Sequence, residues 1–388
     1  MSSIDGKETG NFGQPVSEKI KSDLLTLNMG PQHPATHGVL RVEIKTDSEI
    51  VAEAIPHLGY LHRCFEKHAE NLDYRGIVPF TDRMDYLGAM AMEWGYCLTV
   101  EKMLGTEIPR RAQYIRTICA ELQRIASHFV YAGTYGIDLG AFSLFLYLME
   151  EREKILRLFE EMSGARMLYN YIWLGGVWND ITDDQLKRIS KFVDELQENM
   201  KTYHSLFGEN KILIERLANV GVITEETAYQ YGATGPVLRG SGIKWDLRKD
   251  RPYGIYDELD FDVCVGEGLK GTVGDCWDRY HVRIKEVDES IKIIRQCLDG
   301  IEEGPIMGKV PKVLKVPEGE IYMRTECPRG ELGYHLVSDG GKTPYRLKVK
   351  SSCFTHVSML PDLAPGQMVA DLVATIGSID IVLGEVDR

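Results

Sequence analysis

The sequence predicts an α+β fold, in which a central helix bundle is flanked by small strand-rich regions at its N- and C-terminal ends. Apolar residues recur at helical spacing between about residues 60 and 305, and short strand-like stretches lie on both sides. With 388 residues, 44% of them hydrophobic, the chain can bury two or three packed subdomains, and global disorder is excluded. We expect a polar, flexible arm at residues 1–22, a β region at 23–59, the bundle at 60–305 and a strand-rich region at 306–388.

A loop with two histidines lies inside the N-terminal β region. Residues 24–29 and 39–44 have strand-like composition, and Gly30–Gly38 between them contains two prolines. Proline fixes φ and removes a backbone donor, so this segment cannot form a regular helix or a central strand. We therefore predict a tight loop that presents His33 and His37 to a molecule that docks against it.

A zinc site at this loop is the weaker interpretation. His33 and His37 have His-x3-His spacing, but zinc needs two further ligands, and the loop contains neither a cysteine nor a carboxylate cluster. A single loop histidine is also commonly only solvated or hydrogen-bonded. The significance of the loop therefore depends on motifs elsewhere in the chain.

Five long helices are predicted in the bundle. The helix at 82–104 has few charges on any side, which is typical of a helix buried among others. Thr182 and Gln185 form a capping box that begins the fourth helix, and Gly300 is the expected stop of the fifth. The remaining predicted helices cover residues 115–129, 143–162 and 275–299.

Two glycine-rich segments after the fourth helix are predicted to be turns. Asp339-Gly340-Gly341 predicts a hairpin between strands at 333–338 and 344–350. Gly266–Gly271 matches the dinucleotide fingerprint, but the acid at the expected distance, Glu286, falls inside the fifth helix instead of ending a second strand. We therefore predict no nucleotide site at that motif.

Charge and cysteine content exclude several classes of function. The net charge of −13 argues against binding to nucleic acid or to anionic lipid. The longest apolar run, 141–149, is far shorter than the roughly 20 residues that span a bilayer, so we expect membrane association only through partner proteins. No two of the eight cysteines are closer than twelve positions, so we expect no metal bound by this chain. Scattered cysteines without a signal segment fit a cytoplasmic setting.

Several motifs together resemble one family, over the chain from about residue 24 to its C-terminus. They are Gly30–Gly38, Pro56–Arg63, Arg83–Leu87, Glu121–His128, Gly235–Gly242, Arg329–Gly333 and Gly384–Arg388. The family is the 49-kDa-type subunit, or D-type subunit, of NADH:quinone oxidoreductase, the proton-pumping respiratory complex I. It shares ancestry with the large subunit of [NiFe] hydrogenases, so the resemblance implies an [NiFe]-hydrogenase large-subunit-like fold.

That ancestry can be tested on the residues. The metal-binding cysteine pairs of a hydrogenase would fall near Arg63–Glu66 and near Val386–Arg388, and only Cys64 is a cysteine there. Four thiolates cannot be assembled, so nickel and iron ligation is lost. The resemblance therefore implies a cavity reused for a quinone headgroup.

The resemblance also assigns roles to single residues. His37 and Tyr86 match the pair that hydrogen-bonds the two sides of the quinone, and Asp138 matches the carboxylate that partners the histidine. The chemistry is reasonable, since a quinone takes up two protons on reduction and an imidazole and a phenol can both donate. Without the family, Tyr86 could equally be a packed aromatic and Asp138 a helix cap before Ser143.

Arg63 and Arg83 match arginines that the family places around its terminal [4Fe–4S] cluster, which a neighbouring subunit ligates. Positive charge there raises the reduction potential of the cluster. The simpler interpretation is an ordinary ion pair with Glu66 or Asp85. The resemblance implies no cofactor on this chain itself, quinone as substrate, and partner subunits of the B, C, I and H types at the cytoplasmic face of the inner membrane.

The chain departs from the family at two positions. Many members have a histidine at Leu168 and an arginine at Trp173, near the terminal cluster. Leucine can neither hold a proton nor donate a hydrogen bond, so a lower cluster potential and a low-potential quinone, menaquinone, are expected. Two alternatives to the quinone-site function stay open: an atypical [NiFe]-hydrogenase-like subunit and a non-catalytic scaffold of the same complex.

Overall fold

The computed structural model of the protein describes residues 24–33 and 37–388, so the arm predicted at residues 1–22 lies outside them. Long helices occupy the middle of the chain, and two three-stranded antiparallel sheets lie near its ends. The predicted α+β class is therefore confirmed. Among the described residues, no helix is both long and apolar enough to cross a bilayer.

The N-terminal sheet has the order β1-β2-β3. Its strands are β1 (Leu25–Met29), β2 (Arg41–Asp47) and β3 (Ile50–His57). Val42 and Ile44 alternate with more exposed residues on β2, so one face of the sheet is buried. That face packs against the last helices of the chain, and together they form a hydrophobic core distinct from that of the bundle. Met29 pairs with Val42, and the histidine loop lies between these two strands.

The bundle is built around two long helices that pack on each other, α4 and α11. The helices before residue 170 are α1 (Phe65–Ala69), α2 (Val78–Thr81), α3 (Ala89–Leu104), α4 (Arg110–Asp138) and α5 (Phe142–Ser163). A two-stranded ribbon follows, β4 (Ile172–Trp173) and β5 (Gly176–Val177). The remaining ones are α6 (Asp183–Tyr203), a π-helix at His204–Gly208, α7 (Lys211–Leu217), α8 (Glu225–Tyr231), α9 (Gly235–Gly240), α10 (Leu247–Asp250), a 3-10 turn at Tyr256–Glu258 and α11 (Cys276–Gly300).

The first long helix begins seven residues later than predicted, at Ala89 instead of Asp82. Residues 82–88 form turns, because the Asp85 carboxylate accepts a hydrogen bond from the Leu87 amide and its carbonyl accepts one from Gly88. Tertiary contacts bury this stretch. From apolar periodicity alone, a buried turn of this kind cannot be distinguished from a buried helix. Tyr86 therefore lies on this turn and not in the helix.

The other predicted helices are found, although α4 extends beyond the predicted 115–129 at both ends. Thr182 and Gln185 form the predicted capping box at the start of α6. Asp275 caps α11, and Glu286 lies within that helix, so Gly266–Gly271 does not open a dinucleotide-binding strand pair.

The C-terminal region contains a sheet and then helices. The hairpin predicted at Asp339-Gly340-Gly341 joins β7 to β8, and the sheet has the order β6-β7-β8. Its strands are β6 (Gly319–Cys327), β7 (Gly330–Ser338) and β8 (Arg346–Lys350). The sequence pattern did not indicate the four short helices that follow, α12 (Ser352–Ser358), α13 (Leu360–Leu363), α14 (Val369–Ser378) and α15 (Leu383–Asp387). Such short helices show too few turns for a clear period, and packing stabilises them.

Candidate functional site

His37 and Asp138 form a direct, largely buried pair. The distance between His37 Nε2 and Asp138 Oδ2 is 2.6 Å, and the two side chains are 12% and 6% exposed. Asp138 is the last residue of α4, where the helix dipole places partial negative charge. A carboxylate at that end is unfavourable unless a donor or cation compensates it, and His37 does so. The N-cap of α5 is Ala141 and no side chain caps that helix, so the alternative that Asp138 is a cap before Ser143 is wrong.

Tyr86 lies on the turn before α3, half-buried, between Asp85 and Leu87. Burial raises the pKa of Tyr86 above its ordinary value, and the charge of Arg329 opposes that shift. The phenol is therefore neutral at physiological pH and can donate a proton or a hydrogen bond. Its hydroxyl forms no hydrogen bond with another described residue, so it is available to a bound molecule.

The C-terminal helix α15 connects the two parts of the chain that contain His37 and Tyr86. A Cβ at Gly38 would contact the Leu383 side chain at 3.6 Å. A Cβ at Gly384 would lie 2.5 Å from the Met84 carbonyl oxygen, a distance that real side chains do not reach. Only glycine allows α15 to lie this close to the turn that leads to Tyr86. No hydrogen bond joins His37 to Tyr86, but one short helix contacts the segments next to both.

Arg63 and Arg83 lie together at a cavity of about 400 Å³. Arg63 donates a hydrogen bond to the carbonyl of Arg83, and Arg83 donates one to the Pro79 carbonyl at 2.5 Å. The two arginines line the cavity with His68 and a mostly apolar set, Phe65, Pro79, Phe80 and Met84. The site is therefore both cationic and apolar.

Neither arginine forms the simpler ion pair considered above. Glu66 is held by Arg346 at 3.0 Å and by Lys348, and Asp85 is held by Arg329 at 2.6 Å. The guanidinium of Arg83, whose side chain is 43% exposed, approaches Asp82 at 3.8 Å. Arg63 thus keeps its charge available toward the cavity, and Arg83 lies between the cavity and Asp82.

A buried line of ions supports the Tyr86 turn, and sequence reasoning did not predict it. Arg329, with 0% side-chain exposure, contacts Asp85 at 2.6 Å and Asp380 at 3.4 Å. Burial raises the pKa of Asp85 to about 6, although Arg329 opposes the shift. Burial also opposes the charge on Arg329, but Asp380 and Asp85 outweigh it and hold its pKa above the ordinary value. The three residues lie far apart in sequence, so no local pattern could reveal the line.

The two stretches at which the resemblance places the metal sites of a hydrogenase lie close to each other. The Asp387 carboxylate accepts hydrogen bonds from the Gly59 and Leu61 amides at 2.8 and 2.7 Å. His62 Nδ1 lies 2.6 Å from the Asp387 carbonyl oxygen, and Cys64 Sγ lies 3.8 Å from His62 Nε2. One thiol among imidazole and carboxylate groups does not fit a nickel–iron centre, which needs four thiolates. Within the described residues, no group of three or more His, Cys, Asp or Glu side chains is arranged to hold a metal ion.

Replacing Arg329 with leucine should strongly destabilise the subunit. The substitution leaves Asp85 and Asp380 buried without their shared cation, which costs about 3–5 kcal/mol. Arg324→Leu is the matched control, because Arg324 pairs with Glu331 at 3.2 Å but is 24% exposed, and its loss should cost less than about 1 kcal/mol. We compare the two variants by thermal unfolding of this subunit in the purified complex, with limited proteolysis as the readout. Equal shifts in the unfolding midpoint would contradict a special role for the buried line.

Comparison with known proteins agrees with the motif resemblance. Residues 138–315 and 308–388 match the family model described as "Respiratory-chain NADH dehydrogenase, 49 Kd subunit". The D-type subunit of NADH-quinone oxidoreductase from Chlorobaculum tepidum is 54% identical over 377 residues, which is 96% of this chain and 94% of that protein. The corresponding subunits from Chlorobaculum parvum and Prosthecochloris aestuarii are 53% and 52% identical over the same shares of each chain. The chain therefore belongs to the family of the 49-kDa subunit of respiratory-chain NADH dehydrogenase.

Proposed function

We propose that this chain is the quinone-site subunit of a proton-pumping NADH:quinone oxidoreductase, and that it mediates electron transfer from a [4Fe–4S] cluster on a partner subunit to a quinone. The observation that supports this best is the 2.6 Å contact between His37 Nε2 and Asp138 Oδ2. Helix α15 contacts both the residue next to His37 and the turn that leads to Tyr86. The names of the similar proteins support the complex. An [NiFe]-hydrogenase large-subunit-like fold is part of the same proposal.

The proposed proton chemistry follows from the two donors. The oxygens of a quinone become basic as electrons arrive, so a hydrogen-bond donor at each oxygen lowers the barrier. His37 would donate at one oxygen, with Asp138 holding the ring in place through their 2.6 Å contact. Tyr86 would donate at the other from its neutral phenol, whose pKa is raised by burial.

Under this proposal, electrons arrive at the cavity that Arg63 and Arg83 line. The residues lining it offer guanidinium groups and no thiolate, so they fit a position facing a cluster that another subunit ligates. A [4Fe–4S] cluster would supply electrons one at a time. The two arginines would stabilise its more negative, reduced form through their positive charge.

The partners and location follow from the same proposal. We expect a cluster-bearing subunit of the B type at the Arg63 cavity, subunits of the C and I types nearby, and a membrane subunit of the H type. The chain would then lie at the cytoplasmic face of the inner membrane, attached through these subunits.

His37→Ala in the assembled complex should sharply lower quinone reduction, by about 10²-fold or more, because the donor at one oxygen is lost. Electron transfer from the upstream donor to an artificial acceptor should persist. Steady-state assays of both activities on one preparation make the comparison. Loss of both activities would indicate an assembly defect. Loss of neither would favour the non-catalytic scaffold, and nickel found by metal analysis would favour the hydrogenase-like alternative.

Tyr86→Phe should have a milder effect, because only the hydroxyl is deleted and the ring that packs on the turn is kept. We expect normal assembly with a higher KM for quinone or a lower turnover. Phe354→Tyr, which adds a hydroxyl to an exposed aromatic, is a control expected to change neither value. Unchanged kinetics in Tyr86→Phe would count against its place at the headgroup.

Leu168 and Trp173 support menaquinone as the substrate. Leu168 is half-buried in a left-handed conformation with φ 58°, and Trp173 donates a hydrogen bond to the Asn170 carbonyl at 2.9 Å. Neither side chain can give the cluster the charge or proton that a histidine and an arginine would. The cluster should therefore have a lower potential, which suits a low-potential acceptor.

Leu168→His should raise the potential of the terminal cluster and make it more dependent on pH, since the imidazole takes up a proton as the cluster is reduced. Redox titrations at several pH values on wild type and variant measure both effects. A steep pH dependence already present in the wild type, or no rise in the variant, would reject this explanation and with it the argument for menaquinone.

A further inference from the structure

Two carboxylic acids near Arg83 are fully buried. Asp82 follows α2, Glu93 is on α3, and each has 0% exposure. Asp82 Oδ1 is buried without a hydrogen-bond partner among the described residues, and a hydrogen bond between the two side chains contributes to the pKa of each acid. Neither belongs to the proposed quinone or cluster contacts, so their burial needs its own explanation.

Both acids hold the same loop. Asp82 accepts a hydrogen bond from the Asn170 amide at 2.9 Å. Glu93 accepts from the Tyr171 amide at 3.0 Å and from the Ile172 amide at 2.6 Å. Three consecutive backbone amides thus donate hydrogen bonds to two side chains that lie nearly eighty or more positions away in the sequence. The loop is the one that contains Leu168.

The charges around the pair do not balance two carboxylates. Among the described residues, only Arg83 forms an ion pair with either acid, at 3.8 Å from Asp82. Arg116 of α4 is occupied by Glu101 at 2.6 Å, and Arg152 of α5 lies near Tyr169 without an ion pair to either acid. The other titratable groups facing the pair are neutral, namely Tyr169 of the loop, Cys97 of α3, Cys119 of α4 and Tyr334 of β7.

We propose that Asp82 and Glu93 share one proton, and that this singly protonated acid pair is a pH-sensitive latch that fastens residues 170–172. One proton leaves the pair with a single negative charge, which the single cation, Arg83, matches. The shared proton also supplies the hydrogen bond between two groups that would otherwise repel. This inference does not depend on the quinone role of the chain.

The pKa directions agree with this arrangement. Burial raises the pKa of Asp82, and burial together with the charge of Asp82 raises the pKa of Glu93 well above its ordinary value. A carboxyl group whose pKa is raised in the closed loop contributes its full stabilisation at pH values below the ordinary carboxyl pKa. This contribution is lost as the pH rises toward the raised pKa. Opening the loop admits water and releases the proton, so opening becomes easier with pH by up to about tenfold per unit.

Amide hydrogen exchange of the assembled complex, without quinone or electron donor, tests the latch. After correction for intrinsic exchange, protection of the Asn170, Tyr171 and Ile172 amides should fall as the pH rises above the ordinary carboxyl pKa, by up to about tenfold per unit. The Gly175 amide is the internal control, because it donates at 2.7 Å to Glu101, whose charge Arg116 already neutralises. Its protection should not change with pH. An equal response at both places would overturn the proposal.

Glu93→Gln sharpens the test, because the side-chain amide can donate permanently to Asp82 while its carbonyl still accepts from Ile172. Protection should be retained and become independent of pH. The infrared C=O stretch of a protonated carboxyl, expected in the wild type near neutral pH, should disappear. Asp82→Asn should have the same effects on protection and on the infrared band. If one of the two variants fails to assemble, the other still provides the test. An unchanged pH slope or an unchanged infrared band in the assembled variants would reject the shared proton, whatever the outcome for His37→Ala.

Discussion

The buried charge of Arg329 is the interaction on which the candidate site depends. A guanidinium without exposure to solvent is tolerated only when carboxylates lie close to it. Arg329 obtains them from two distant parts of the chain, Asp85 before α3 and Asp380 after α14. This one cation therefore fixes the turn that contains Tyr86 against the segment that leads into α15. A Cβ at Gly377, at the end of α14, would lie 3.6 Å from Asp138, so the same segment reaches the histidine pair.

The interface of α4 and α11 follows the same rule. His128 on α4 lies 2.9 Å from Glu286 on α11, and Arg239 binds Glu286 and Glu326 at 2.8 Å each. A shift of one helix along the other would break the buried hydrogen bond between His128 and Glu286, at about 1–3 kcal/mol. That contact therefore helps to define the register of the two helices. Because Asp138 ends α4, that register also sets the position of the carboxylate beside His37.

Under the proposed function, the site has two sides with opposite electrostatic character. The cavity with Arg63 and Arg83 concentrates positive charge in apolar surroundings, which suits electron arrival. His37 and Tyr86 are donors, one backed by a carboxylate and the other kept neutral by burial, which suits proton delivery. Asp82 is next to Arg83 in the chain and bonds to the loop of Leu168, so a change in its protonation would act on the electron side.

The sequence by itself determined the fold class, the capping box of α6, the hairpin at Asp339-Gly340-Gly341 and the two strands that flank the histidine loop. These signals are local, since turn chemistry, capping and apolar periodicity act over a few neighbouring residues. The motif resemblance added Asp138 and Tyr86 as site residues, and the contact of Asp138 with His37 agrees with it. Only the tertiary structure decided that α3 begins after the Tyr86 turn, that Arg329 joins Asp85 to Asp380, and that Asp82 and Glu93 hold one loop. Each of these depends on charges brought together from distant parts of the chain, and burial makes such groups pair with whatever partner the fold supplies, which no local pattern records.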